Sequence, residues 1–197
     1  MKQGLIVLLN GTSSSGKTSI STELIHQKEI HFHHLSIDDF FHNYNNFVNN
    51  KLLDEPPIEL DHQVVSQIVD DSIFSVYHST VKLFSEMGLN VIVDTVIDND
   101  NRFNECLDVF SDQPVLFVGV LCSEEELIRR EQLRGDRNIG LATSQFDQVY
   151  RVKEYDLELN TEQLNPTECA EAILGFIKSG KEYSAFRRLS ERKVDVS

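Results

Sequence analysis

The chain is 197 residues long, 40% hydrophobic and 25% charged, which suits one domain with a core large enough to fold without disulfides or a structural metal. Its 18 Lys and Arg against 32 Asp and Glu leave a formal net charge of −14, which argues against a general nucleic-acid binder or a protein that docks on anionic membrane, because both need a basic face. The longest apolar stretch, Val115 to Cys122, is far short of the roughly 20 residues of a membrane span. The run Leu5 to Leu9 is shorter than the core of a signal peptide, and Cys106, Cys122 and Cys169 form no C-x-x-C pair, so a reducing, cytoplasmic setting is expected.

Apolar runs of strand type alternate with helical patterns along the chain. Gly4 to Leu9 reads as the first strand and Lys17 to Gln27 as the helix after it. His33 to Ile37 is the second strand candidate, with Asp38 and Asp39 at its end. The Asn-rich stretch Asn43 to Asn50 and the Pro56-Pro57 pair predict a loop or short helix. A helix over His62 to Met87, a strand over Asn90 to Asp94, a helix over Asn101 to Phe110 and a strand over Val115 to Val120 follow. Ser123 to Glu126 is a capping-box pattern that opens a helix reaching Leu133. Tyr155 to Leu159 is the last strand candidate, and Pro166 stands near the first turn of a helix over Thr167 to Lys178. Several strands are continuous apolar runs, as parallel strands covered on both faces are, so the class is α/β with a parallel sheet between helices. Residues 1–179 read as one domain. The tail 180–197, more basic than the body through Lys181, Arg187, Arg188, Arg192 and Lys193, reads as a helical appendage or a disordered end.

Gly11-Thr12-Ser13-Ser14-Ser15-Gly16-Lys17-Thr18 matches G-x-x-x-x-G-K-[ST] between a strand and a helix. The two glycines allow a tight loop whose N–H groups turn inward on an anion. Lys17 reaches the β- and γ-phosphates of a nucleotide, the Thr18 hydroxyl can ligate Mg²⁺, and the helix N-terminus, Ser19 included, points its positive end at the phosphates.

Ligands of parallel α/β sheets bind beyond the carboxyl ends of the strands, where Asp38, Asp39 and Asp94 join Lys17. Phosphoryl transfer to an alcohol needs a proton acceptor and charge neutralisation. Asp38 is the candidate base. Asp94, after Val-Ile-Val, has the character of a Walker B acid that holds Mg²⁺ through water. Asp39 is the alternative for either role, and helix capping is the competing explanation for all three. Arg129 and Arg130, in the last turns of a helix with an acidic start, are explained by the helix dipole. Arg134 and Arg137 flank Gly135-Asp136 where that helix gives way to a loop, and are expected to close over the transferring group as a lid. The His31, His33 and His34 cluster lacks a second ligand group at metal spacing and is expected at the surface or packed. Phe40, Phe41, Tyr44 and Phe47 line an acceptor pocket or pack in the core, and His42 is a weak candidate for a polar contact.

Taken together, Leu9 to Thr18, Ser36 to Phe41, Val91 to Thr95, Val118 to Cys122 with the arginine-bearing Arg134-Gly135-Asp136-Arg137, and Tyr155 to Ile173 resemble the chloramphenicol phosphotransferase family of P-loop kinases over about residues 4 to 178. The resemblance implies a three-layer P-loop kinase fold with a five-stranded parallel sheet and an arginine-bearing lid. It implies Asp38 as base, Arg134 and Arg137 as the lid arginines, and the segment from Asn160 to Pro166 beside the adenine. Asn160 stands where an Asp is common, and the aromatic, Asn-rich segment after Asp38 departs from the family pattern. The expectation is therefore an enzyme that moves the γ-phosphoryl of ATP, with Mg²⁺, to a small-molecule hydroxyl. A nucleoside, nucleotide or adenylylsulfate-type kinase is the alternative acceptor class. A nucleotide-binding switch acting through the basic tail is the alternative function. Self-association into a homo-oligomer is left open.

Overall fold

A computed structural model describes residues 2–51, 62–134 and 140–194. Five strands form one parallel sheet: β1 (Ile6–Asn10), β2 (His33–Ser36), β3 (Val91–Thr95), β4 (Val115–Leu121) and β5 (Leu157–Asn160), in the order β2-β3-β1-β4-β5. The central strands β1 and β3 are buried along their whole length, which is why they read as unbroken apolar runs. Alternate side chains of β1 feed two cores. Ile6 and Leu8 meet helices α2 (Ile37–Lys51), α3 (His62–Glu86), α4 (Asp100–Phe110) and α8 (Ala185–Val194), whereas Val7 and Leu9 meet α1 (Lys17–His26) and α7 (Pro166–Lys178). Helices α5 (Glu124–Arg134) and α6 (Leu141–Val149) pack on each other beside this sandwich through Leu127 and Ala142. The fold is thus the expected three-layer α/β arrangement. Successive connections leave β1 toward β2 and β3 on one side and β4 and β5 on the other, which opens a crevice at its carboxyl end.

Three local expectations are settled or corrected. Of the loop or short helix expected over Asn43 to Asn50, the structure has the helix, and a longer one: α2 runs from Ile37 through Lys51. Ile37, Phe40, Phe41 and Tyr44 share one face at helical spacing, and Phe40 packs edge-on to Tyr77 and Phe41 to Phe74. That burial outweighs the weak helix propensity of asparagine. As a result Asp38 and Asp39 lie in the first turn of α2, favourable for carboxylates at a helix N-terminus, rather than at the end of β2. The Ser123 box is half formed. Ser123 Oγ accepts from Glu126 N at 3.4 Å, but the Ser123 N–H donates to Glu162 Oε1 at 2.6 Å, because Glu126 turns to Arg129 and Arg130. Asn165 and Glu168 make the complete reciprocal box that starts α7. The Pro56-Pro57 pair lies outside the described residues.

Tyr155 and Asp156 explain why the last strand begins two residues later than its candidate, at Leu157. The Tyr155 ring lies flat on β4 at Gly119, where any Cβ would come within 2.7 Å of it. Asp156 Oδ2 accepts from Phe117 N, and its Oδ1 accepts from Ser184 N and Ala185 N, capping α8. Ala185 and Phe186 are buried against Phe110 and Phe117, so α8 completes the core rather than trailing from it. Its cations meet acids of the same chain: Arg187 with Glu182, Arg188 and Arg192 with Glu154, and Lys193 with Asp108.

Candidate active site

The loop from Gly11 to Thr18 joins β1 to α1 at the crevice. Ser14 (φ 62°) and Gly16 (φ 103°) adopt left-handed backbone, a conformation that turns successive N–H groups toward one point. Gly16 satisfies this at little cost, while Ser14 stores about 1 kcal/mol of strain. Gly16 is also the N-cap of α1 and gives no side-chain cap, so the first amides of the helix face the crevice without one. The Ser14 and Ser15 hydroxyls are buried with no hydrogen-bond partner, a costly arrangement that an anion accepting from them relieves. Lys17 is buried and donates from Nζ to Gly11 O and Thr12 O at 2.8 Å each, folding back across the loop.

Asp94, near the end of β3, is buried beside this lysine. Its Oδ2 accepts from Thr18 Oγ1 at 2.7 Å, its Oδ1 is 4.0 Å from Lys17 Nζ, and His34 Nε2 is 3.7 Å from Oδ2. Burial pushes the Asp94 carboxyl up, but His34, Lys17 and Thr18 together outweigh it and hold the group below the ordinary carboxylate range, hence ionised. The adjacent oxygens of Thr18 and Asp94 are the hard donors Mg²⁺ prefers, directly or through water, and the loop's amides and orphaned hydroxyls suit the phosphates of a nucleotide.

The structure brings in residues that local patterns did not reveal. Arg130 is not merely a dipole partner. Its guanidinium spans Glu126 Oε1, Ser15 O and both Thr161 Oγ1 and Thr161 O, tying α5 and the turn after β5 to the loop. Ser13 N donates to Gln145 Oε1 on α6 at 3.0 Å. The Glu131 carboxylate, 1% exposed, accepts from Gly140 N and Ala142 N and so fastens the start of α6 to α5. Beneath the loop, Asn10 Nδ2 donates to Tyr155 Oη at 2.9 Å, and Tyr150 Oη donates to Val120 O. His34 faces Asp94 rather than standing apart from the site. Arg130 has a sequence signal in its place in the last turns of its helix, His34 in the histidine cluster, and Tyr155 and Thr161 in the segment Tyr155 to Ile173. The rest depends on packing between distant segments.

A cavity of about 540 Å³ runs across the loop. Ile37, Asp38, Thr95 and Val96 line it on the β3 side, and Arg130, Thr161, Leu164 and Pro166 on the β5 side. Ser13, Ser14, Gly16, Lys17, Thr18, Ser19 and Asp94 lie between. Asp38 is therefore in the same cavity as Lys17 and Asp94, and its neighbour Asp39 is not among the lining residues. Phe40 and Tyr44 line a separate apolar groove with Ile73 and Val76, so they do not share the cavity of Asp38. Of the two arginines expected over the transferring group, Arg134 is the last residue of α5 and Arg137 lies outside the described residues. The Phe47 side chain also lies outside them. Among the described residues no helix is long and apolar enough to cross a membrane.

The same fold recurs in the APS kinase of Mycobacterium tuberculosis solved with AMPPNP and APS (TM-score 0.66, 18% identity, 90% of this chain and 99% of that one). It recurs also in shikimate kinase from Acinetobacter baumannii in complex with shikimate (TM-score 0.59, 15% identity, 91% and 95%). At the sequence level a Mycobacterium tuberculosis protein with the provisional name O-phosphotransferase is 29% identical over 215 aligned residues, covering 98% of this chain and 90% of the relative. A family model described as chloramphenicol phosphotransferase-like protein matches residues 4–178, the span that carries the loop, Asp38, Asp94 and Arg130. The chain thus belongs to the chloramphenicol phosphotransferase-like family of P-loop kinases and is an ATP-dependent phosphotransferase acting on a small molecule.

Proposed function

We propose that the protein moves the γ-phosphoryl group of ATP to a hydroxyl of a small molecule. The observation that carries this reading is one continuous cavity holding an anion loop with Lys17, a Thr18–Asp94 oxygen pair and, on the β3 side, Asp38. Loop amides and Lys17 bind the phosphates, with Lys17 exchanging its carbonyl contacts for phosphate oxygens. Thr18 and Asp94 would hold Mg²⁺, which neutralises phosphate charge. Asp38 accepts the proton of the attacking hydroxyl. Arg134 and Arg137 neutralise the transferring group, and the turn from Asn160 to Pro166 with Arg130 borders the adenine. The acceptor is chloramphenicol or another alcohol in this reading. A nucleotide-responsive switch working through a free basic tail has less support, because Arg187, Arg188, Arg192 and Lys193 of α8 engage Glu182, Glu154 and Asp108 of the chain itself.

The test is transfer from γ-labelled ATP and Mg²⁺ to a panel of chloramphenicol, nucleosides, adenylylsulfate, aminoglycosides and sugars. Label on a hydroxyl acceptor supports the reading and names its class. Label on adenylylsulfate moves the protein to that acceptor class. Tight ATP binding with no transfer to any member favours the switch.

A further inference from the structure

We propose that His34 positions Asp94 and thereby sets the affinity of the divalent-cation site, an inference that rests on the metal-nucleotide part of the function proposed above. The register of β2 against β3 places His34 beside Ile92, whose side chain joins the core under α1 and α7. Two residues further on, Asp94 shares that face, so the imidazole reaches along the sheet to the carboxylate. His34 Nε2 is 3.7 Å from Asp94 Oδ2, is shielded from water and has no hydrogen-bond partner. A buried ring nitrogen next to a carboxylate has one satisfactory arrangement: its N–H toward the oxygen, which offers only lone pairs. A shift of well under 1 Å brings the pair into hydrogen-bond range.

Asp94 is then gripped from both sides. Thr18 and Lys17 approach it from the loop, and His34 from the edge strand. When a nucleotide draws Lys17 toward its phosphates, His34 and Thr18 stay with the carboxylate, and His34 is the one of the two that is not itself part of the loop and helix start. Groups that orient a metal-binding carboxylate in this way alter metal affinity about 10–100-fold when removed. His33 is the internal control. It lies on the opposite face of the same strand, edge-on to Phe84 with ring centres 5.3 Å apart, and does not touch Asp94.

The experiment measures Mn²⁺ binding in the presence of ADP by the loss of free-Mn²⁺ electron paramagnetic resonance signal, together with ADP affinity in EDTA. For His34→Ala the expected result is about a tenfold weaker Mn²⁺ affinity with unchanged ADP affinity in EDTA. His34→Gln, whose Nε2 can donate from a similar place, recovers part of the loss. His33→Ala binds as wild type. Equal Mn²⁺ affinity in wild type and His34→Ala overturns the proposal. So do equal losses in His34→Ala and His33→Ala, or a parallel loss of ADP affinity in EDTA, since these point to a disturbed strand or loop. Wild-type protein that binds no Mn²⁺ with ADP refutes the metal-nucleotide site itself, an outcome separate from failure of His34 alone.

Discussion

Replacing Asp94 by Asn tests the charge at the centre of the site without changing its shape. The amide still accepts from Thr18, but the negative charge is gone. Asp94 Oδ1 is 4.0 Å from Lys17 Nζ, so a phosphate oxygen held by that ammonium at about 3 Å lies within about 7 Å of the carboxylate. At an effective dielectric near 20, two unit negative charges at that distance repel by about 2 kcal/mol, and salt reduces this to about 1–2 kcal/mol. Asp94→Asn is therefore expected to bind ATP roughly 5–30-fold more tightly in EDTA. With Mg²⁺ the order reverses, because an anion of the proposed metal site is lost, and affinity falls about 10–100-fold. Stability changes little. Lys17 keeps the Gly11 and Thr12 carbonyls at 2.8 Å, and removal of a buried charge offsets the lost pairing, so the effect stays within about 1–2 kcal/mol instead of the roughly 3–5 of a stranded ion. Calorimetric titrations of both proteins in EDTA and in Mg²⁺, with thermal melts alongside, decide it. Weaker binding by the mutant in both conditions would refute the reasoning.

Three further outcomes follow from individual contacts. Arg130→Ala removes the fork that joins Ser15 O to Thr161 and is expected to weaken ATP binding about tenfold, with Arg130→Lys restoring only part because an ammonium cannot span these acceptors; unchanged nucleotide affinity in the alanine variant would contradict this. Gly119→Ala pushes a Cβ to 2.7 Å from the Tyr155 ring and strains its contact with Asn10 beneath the loop, so a cost of about 1–3 kcal/mol and a melting temperature lower by roughly 2–10 °C are expected, and an unchanged melt would show the ring is free to move. Burial holds the pKa of His78 below 6.5 despite Glu105 at 3.5 Å. The unfolded chain therefore takes up this proton first as pH falls, and stability declines from about pH 6.5 downward. His78→Gln should flatten that slope in urea melts between pH 7 and 5; parallel slopes in the two proteins would remove His78 as the cause.

The parts of the fold legible in the sequence are those whose signal is local. The loop from Gly11 to Thr18 announces itself by spacing, and the buried strands Ile6–Asn10 and Val91–Thr95 by their apolar runs. The pairing of Asp94 with Thr18 follows from topology, since the loop and helix start after β1 lie beside the carboxyl end of the adjacent strand β3. What local patterns miss is set by long-range register and packing. His34 meets Asp94 only because β2 pairs with β3 in one register, since a one-residue slip would turn the ring to the opposite face. Arg130 reaches Ser15 across 115 positions of chain. Helix α6, Leu141–Val149, carries only a short apolar face and takes much of its definition from Glu131 at its amino end and Leu127 beneath it. Helix α2 runs on into the Asn-rich segment from a first half whose Phe40 and Phe41 pack on α3, a long-range contact that composition alone conceals.

The central claim is a division of labour within one cavity: the loop holds ATP, and Asp38 takes the proton of the acceptor. The most direct measurement compares wild type and Asp38→Ala for ATP affinity with Mg²⁺ and for transfer of labelled γ-phosphate to the acceptor found in the panel. The account predicts ATP affinity within about twofold of wild type and transfer reduced by about 10²–10⁴. Transfer that survives in Asp38→Ala, or ATP binding lost along with it, would contradict the assignment.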